Sequence, residues 1–145
     1  MVLVRLAKRQ DIPRILELYE ELTEETQTLP EETVDRIWDK MASMPGHALV
    51  VAEEDSQVLA TTLVQIVPNL SHDARPWAII ENVVVDHAQR RHGTGRIMME
   101  YVVSLCRQAG CYKIQLMSQL KRREAHQFYR ALGFQDSAVG FRLYL

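Results

Sequence analysis

Trp77-Ala78-Ile79-Ile80-Glu81-Asn82-Val83-Val84-Val85, followed by Asp86-His87-Ala88-Gln89-Arg90-Arg91-His92-Gly93-Thr94-Gly95-Arg96, is the stretch of sequence that decides the fold. Its first part is the most apolar, β-branched run in the chain and predicts a central strand buried on both faces. Its second part places two glycines between that strand and an apolar-periodic segment. This is a strand-to-helix turn whose backbone N–H groups and helix dipole can face an anion. Gly93 and Gly95 allow close backbone approach, and Arg90, Arg91 and Arg96 add positive charge. The loop is not a P-loop, which needs G-x4-G-K-[ST], nor a dinucleotide fingerprint, which needs a third glycine. Taken alone, it reads equally well as a tight turn with solvated arginines.

Working outward toward the C-terminus, Gly95 to Ala109 predicts a helix with Ile97, Tyr101, Val102, Leu105 and Ala109 on one side, closed by Gly110. Lys113 to Met117 reads as a strand, Arg123 to Leu132 as a helix ended by Gly133, and Phe141 to Leu145 as a short final strand. Toward the N-terminus, His47 to Glu53 and Gln57 to Val67 are β-branched runs separated by Glu54-Asp55-Ser56, which fits an antiparallel hairpin. Before them come a short strand at Val2 to Leu6, a helix from Ile12 with Asp11 as its N-cap, and a helix from Glu31 to Met44 ended by Pro45-Gly46. Methionines at helical spacing, Met41, Met44, Met98 and Met99, read as core filler. The order βααβββαβαβ predicts an α/β fold, a mixed, mostly antiparallel sheet with helices on both faces.

At 145 residues, with 47% hydrophobic and 25% charged side chains, the chain has the size and usage of one soluble domain, residues 1–145. There is no internal repeat or linker, no apolar stretch long enough to span a membrane, and no signal-like start, so a cytoplasmic location is expected. Cys106 and Cys111 form neither a zinc set nor a disulfide framework, and no metal site is expected. The net charge of −2 hides a polarity along the chain. Residues 11–55 carry thirteen acidic side chains against three basic ones, whereas residues 86–130 carry nine basic against three acidic. The basic half suits an anionic cofactor and the acidic half a cationic acceptor. Nucleic-acid binding fits poorly, because the basic residues lack aromatic stacking motifs or a helix-turn-helix pattern.

Val83-Val84-Val85 followed by R-x-x-G-x-G at Arg90 to Gly95 resembles the cofactor motif of the GNAT N-acetyltransferase superfamily. Ala125-His126-Gln127-Phe128-Tyr129-Arg130-Ala131-Leu132-Gly133-Phe134 resembles that superfamily's second signature, A-x-x-F-Y-x-x-x-G-F. The resemblance covers residues 77–134 well. It implies two neighbouring parallel strands that splay apart, here the one ending near Val85 and the one at Lys113 to Met117, with acetyl-CoA wedged between them. Val83 and Val85 would pair with the thioester and pantetheine arm as an added strand would. The N–H groups of Arg91, His92, Gly93, Thr94, Gly95 and Arg96, with Arg90 beside them, would hold the pyrophosphate. Arg122 departs from the pattern, where many relatives carry asparagine. Lys121 to His126 also looks like the corresponding stretch of aminoalkylphosphonate acetyltransferases, whose acceptor bears an anion.

The implied reaction moves acetyl from acetyl-CoA directly to a primary amine of a small molecule or protein. A lysine-like amine is only about 0.04% neutral at pH 7, so a base is required. Glu81, on the strand two residues before Val83, is the candidate, either directly or through a water, and the alternative is a carboxylate paired with an arginine. Asn82, expected on the opposite face, is a candidate to orient substrate or cofactor. Tyr129 is the motif-matched donor to the departing thiolate, and Phe128 reads as core. His126 reads as a cap or surface contact. A catalytically silent acetyl-CoA-binding regulatory module would keep the loop without needing Tyr129. The apolar Phe141 to Leu145 segment, suited to pairing at a sheet edge, points to a homodimer.

Overall fold

The computed structural model describes residues 1–26 and 28–145. They form two compact units, Met1–Gln115 and Leu116–Leu145, described in turn.

The first unit is a five-stranded sheet in the order β1-β2-β3-β4-β5, formed by Leu3–Leu6, His47–Glu54, Gln57–Val67, Trp77–Val85 and Ile114–Gln115. The first three pairings are antiparallel and β4–β5 is parallel. Register separates two faces. Leu49, Val51 and Val84 share one face and pack with Ile15 and Leu18 of α1 (Ile12–Thr23), while Trp38 and Met41 of α2 (Glu31–Ser43) lean on the same cluster. Val50, Ala52, Ala60, Thr62, Val64, Ala78 and Ile80 point the other way and are all at most 1% exposed. This second face packs against α4 (Thr94–Gln108), which buries Met98, Met99, Val102 and Cys106. Ile97, expected on the packed side, is 41% exposed, and Met44 is exposed too; the buried stripe of α4 is rotated by one residue onto Met98.

Two expectations about the N-terminal half and the central strand are corrected. Asp11 holds the N-cap position of α1, but its side chain makes no capping bond to that helix. It ends a 3-10 turn at Arg9–Asp11, and its carboxylate turns back to accept from the Lys8 N–H at 2.6 Å and from Arg5 at 2.7 and 3.1 Å. The strand at Trp77–Val85 is not buried on both faces, because Glu81 and Asn82 are exposed. Nor is it central along its length: β5 pairs only at Ala78–Ile114 and Ile79–Gln115, three residues shorter than expected. Beyond Ile79, no strand of the described residues covers that edge of β4.

The β3–β4 connection contains a single turn, α3 (Ser71–Ala74), which winds left-handed at His72, Asp73 and Ala74 (φ 52, 59 and 59°). Such angles are uncommon outside glycine, so tertiary contacts must hold the turn.

The second unit carries α5 (Arg123–Ala131), closed by Gly133 at φ 96° with the Phe134 N–H bonded to the Tyr129 carbonyl at 3.0 Å. The predicted strand at Phe141 to Leu145 does not form. Val139, Phe141, Leu143, Tyr144 and Leu145 are all at least 78% exposed, with no partner strand among the described residues to supply ladder hydrogen bonds.

Candidate active site

The open edge of β4 is organised by a β-bulge. Thr61 pairs with Val84 but Leu63 pairs with Glu81, so Asn82 and Val83 together oppose Thr62. The extra residue takes a left-handed conformation at Asn82, φ 54°, which asparagine tolerates better than most side chains. Two side chains compensate for the broken ladder. The Thr62 hydroxyl donates to the Glu81 carbonyl at 3.2 Å, and the Tyr19 hydroxyl of α1 bonds the Asn82 side chain. Burial nevertheless pushes the Tyr19 phenol above its ordinary pKa. Neither the bulge nor its two supports was read from the sequence. The available signal was an asparagine interrupting a β-branched run.

The bulge also shifts which backbone groups face outward. The Ala78 N–H bonds the Lys113 carbonyl at 3.0 Å on the β5 side. Past the bulge, the Asp86 N–H bonds the Leu59 carbonyl at 2.8 Å on the β3 side. Counting back by pleat alternation from Asp86, the peptide groups of Val85 and Val83 point away from β3, toward the uncovered edge. These are the two residues expected to accept a cofactor arm. Val85 is partly committed, since its carbonyl accepts from Arg90 Nε at 3.1 Å.

The strand then delivers the chain through a short 3-10 turn (His87–Gln89) to the glycine loop. Asp86 caps this turn, its carboxylate accepting from the Ala88 N–H at 2.8 Å and pairing with Arg14. Glu21 of α1 accepts from the His87 N–H at 3.1 Å and contacts the His87 ring at 3.0 Å and Arg90 at 3.5 Å. Glu21, Asp86 and His87 lie within metal-ligand reach of one another, but Arg14 and Arg90 already balance the two carboxylates. The cluster is an ion-pair network that ties α1 to the base of the loop.

Gly93 sits at the N-cap of α4 with φ 86°, and no side chain caps the helix. The first-turn N–H groups of α4 are therefore available to an anion. The arginines play a different part from the one expected. Arg90 is held by Val85 and Glu21, and Arg96 reaches Glu100 at 3.2 Å along the helix. Both of these side chains are engaged within the protein rather than left to an anion. His92 is exposed and Thr94 and Gly95 are buried.

Glu81 is exposed one residue before the bulge, and no described residue forms an ion pair with its carboxylate. The Asn82 side chain lies beside the Tyr19 hydroxyl. In the second unit, Tyr129 is 8% exposed and packs edge-on against Phe128 and Phe134, with ring centroids 5.3 and 5.8 Å away. Burial raises its phenol pKa, opposed by the charge of Arg122. No described residue hydrogen-bonds its hydroxyl. His126 is fixed by its Nε2, which contacts the Gln119 carbonyl at 2.8 Å. Cys106 is a poor nucleophile, because burial pushes its thiol up to about 11.

An uncovered strand edge ending in an uncapped glycine turn offers outward-facing backbone groups to an extended ligand and unpaired N–H groups to an anion. A model of the Acetyltransferase (GNAT) family matches residues 12–134, and the chain belongs to that family. It is an acetyl-CoA-dependent N-acetyltransferase with the family's α/β fold. Among solved structures it is similar to a putative acetyltransferase from Agrobacterium tumefaciens, 34% identical with a TM-score of 0.93 over 99% of both chains. It is 27% identical to a glucosamine 6-phosphate N-acetyltransferase from Arabidopsis thaliana, covering 89% of this chain and 86% of that one. It is also 27% identical to an aminoalkylphosphonate N-acetyltransferase from Salmonella typhimurium, over 97% of each.

Proposed function

We propose that the chain acetylates the primary amine of a small, phosphate- or phosphonate-bearing acceptor, with the chemistry centred on the β4 bulge. The bulge carries this reading, because it turns the backbone of Val83 and Val85 toward the uncovered edge at the point where Glu81 stands exposed. Val83 and the Val85 N–H hold the acyl and pantetheine arm, and the loop from Arg91 to Arg96, shaped by Arg90, holds the pyrophosphate through its N–H groups. Glu81 takes the proton from the acceptor ammonium, directly or through a water.

Tyr129 donates a hydrogen bond to the departing sulfur. A phenol with a raised pKa gives its proton to a thiolate less readily than free tyrosine does, so stabilisation by the hydrogen bond outweighs full transfer. The two units act as one domain over residues 1–145, with the family match crossing both. The names of the two relatives support the acceptor class.

A second copy covers the exposed Val139, Phe141, Leu143 and Leu145 row by strand pairing, which makes the working form a homodimer. A reducing, cytoplasmic setting suits the adjacent unbridged thiols Cys106 and Cys111, and no helix of the described residues is long and apolar enough to cross a membrane.

The test is thiol release from acetyl-CoA with a panel of amines. Turnover with phosphorylated amines supports the reading, and cofactor binding without turnover on any amine contradicts it. Light scattering at micromolar concentration tests the dimer; a mass near 16.7 kDa would remove it.

A further inference from the structure

The N-terminal end of β4 carries a second concentration of positive charge, unlike the glycine loop in construction. Tyr112 stands just before β5, with its N–H bonded to the Pro76 carbonyl at 2.9 Å. His72 stacks on its ring at 3.9 Å between centroids and 10° between planes. Arg75 lies 5.7 Å and the Lys113 ammonium 5.5 Å from the same centroid, and Lys113 is also 5.5 Å from the Trp77 ring. Two permanent cations and a titratable imidazole thus converge on one aromatic ring. No described carboxylate pairs with any of them.

Like charges gathered in this way repel, and cation–π contacts of about 0.5–1 kcal/mol at exposed sites only partly offset that. Several other cations of the unit are paired. Arg5, Arg9, Arg14, Arg90 and Arg96 each hold a carboxylate. The left-handed residues 72–74 and the Arg75 Nε bond to the His72 carbonyl, 3.1 Å, fix His72 and Arg75 on one turn. Beside this turn lies an open cavity of about 380 Å³ lined in part by Ala74, Pro76 and Asn69.

We infer that Lys113, Arg75 and His72 form an anion subsite that reads the phosphate or phosphonate of the amine acceptor. The inference rests on the acceptor reading above and adds the residues that impose it. Strand geometry supports the assignment. Trp77, Ile79 and Glu81 alternate onto one face of β4, and the parallel register places Lys113 beside Trp77 on that face. Glu81 lies four positions beyond Trp77, about 13 Å along the strand. The Glu81 and Lys113 side chains close the part of that gap that an amino-sugar phosphate does not span. A hydrated dianion is held at such a site by bidentate arginine and point-charge lysine contacts.

The test compares glucosamine 6-phosphate with glucosamine, and 2-aminoethylphosphonate with ethylamine, as acceptors for the wild type, Lys113→Ala, Arg75→Ala and the exposed control Arg107→Ala. The wild type should prefer the anionic member of at least one pair at least tenfold in kcat/KM. Lys113→Ala should cut that preference at least tenfold through KM for the anionic acceptor, with KM for acetyl-CoA within twofold, and Arg107→Ala should leave it in place. Inorganic phosphate should compete with the acceptor. A wild type indifferent to the anion, or a preference untouched in both Lys113→Ala and Arg75→Ala, overturns the inference. If no amine is turned over, the acceptor reading fails by itself. Calorimetry of inorganic phosphate, weakened by Lys113→Ala or unaffected, then decides the subsite.

Discussion

The two anion sites proposed at the ends of β4 are built by different means. At the C-terminal end, past Val85, the proposed ligands are backbone N–H groups of an uncapped helix, and the nearby arginines Arg90 and Arg96 are engaged within the protein. At the N-terminal end, beside Trp77, the proposed ligands are side chains from two separate segments gathered on Tyr112. A backbone site binds a constant group, a pyrophosphate, and tolerates variation in side chains. A side-chain site can be rewritten by single substitutions, which suits the part of an enzyme that selects its acceptor. The ends are separated by about 26 Å of strand, with the bulge between them, so in the proposed arrangement the cofactor phosphates and the acceptor anion would approach from opposite directions with little mutual repulsion.

The largest effects should come from the chemistry between the ends. Glu81→Gln should lower kcat about 100-fold or more while leaving KM for both substrates within threefold, measured by thiol release. A similar fall from Tyr129→Phe, roughly 10- to 1000-fold in kcat with unchanged thermal stability, would place the hydroxyl in the transition state. A Phe variant with wild-type turnover across pH 6 to 9 would leave the ring only a packing role.

Next in size is the backbone end. A β-carbon at Gly93 would meet no protein atom within 4 Å, so the cost to the protein of Gly93→Ala is the left-handed φ alone, about 1–2 kcal/mol of strain. Calorimetry should nonetheless show acetyl-CoA binding at least tenfold weaker, about 1.4 kcal/mol, because the backbone must approach the pyrophosphate closely. Unchanged cofactor affinity would remove the loop from the site.

The smallest functional effect should come from the scaffold that serves neither end. The hydrogen bonds from Arg5 hold the Asp11 carboxyl below its usual range against the cost of burial. A depressed carboxylate contributes stability that is complete above its unfolded pKa of about 3.9 and is lost as pH falls through its lower folded value. Asp11→Asn should therefore lower the unfolding free energy at pH 7 by about 1–3 kcal/mol, narrow the stability difference from wild type below pH 4, and leave both Michaelis constants unchanged.

The backbone end was largely legible in the sequence, and the side-chain end was not. Gln57–Val67 and Trp77–Val85 are strands with the predicted limits, and α4 begins within a residue of Gly95, because β-branched runs and glycine punctuation are local signals. The bulge depends on Thr62 and Tyr19, residues distant in sequence from Asn82, and no local pattern reports it. Lys113 and Arg75 lie 38 positions apart, and only the parallel β4–β5 register brings them together. The acidic half, read as a field for a cationic acceptor, includes Asp11, Glu21 and Glu53, which pair with Arg5, Arg90 and His87. Phe141 to Leu145 is apolar at every second position from Phe141. Strand formation, however, needs a partner backbone, and none of the described residues supplies it.

The separation of the two ends is tested most directly by a double-mutant cycle of Gly93→Ala and Lys113→Ala, following KM for acetyl-CoA and for a phosphorylated amine acceptor. Sites this far apart should act independently. Gly93→Ala should raise only the acetyl-CoA constant, Lys113→Ala only the acceptor constant, and the double variant should show both changes, additive within about 0.5 kcal/mol. If Lys113→Ala raises the constant for acetyl-CoA as much as that for the acceptor, the two anions do not enter from opposite ends of β4.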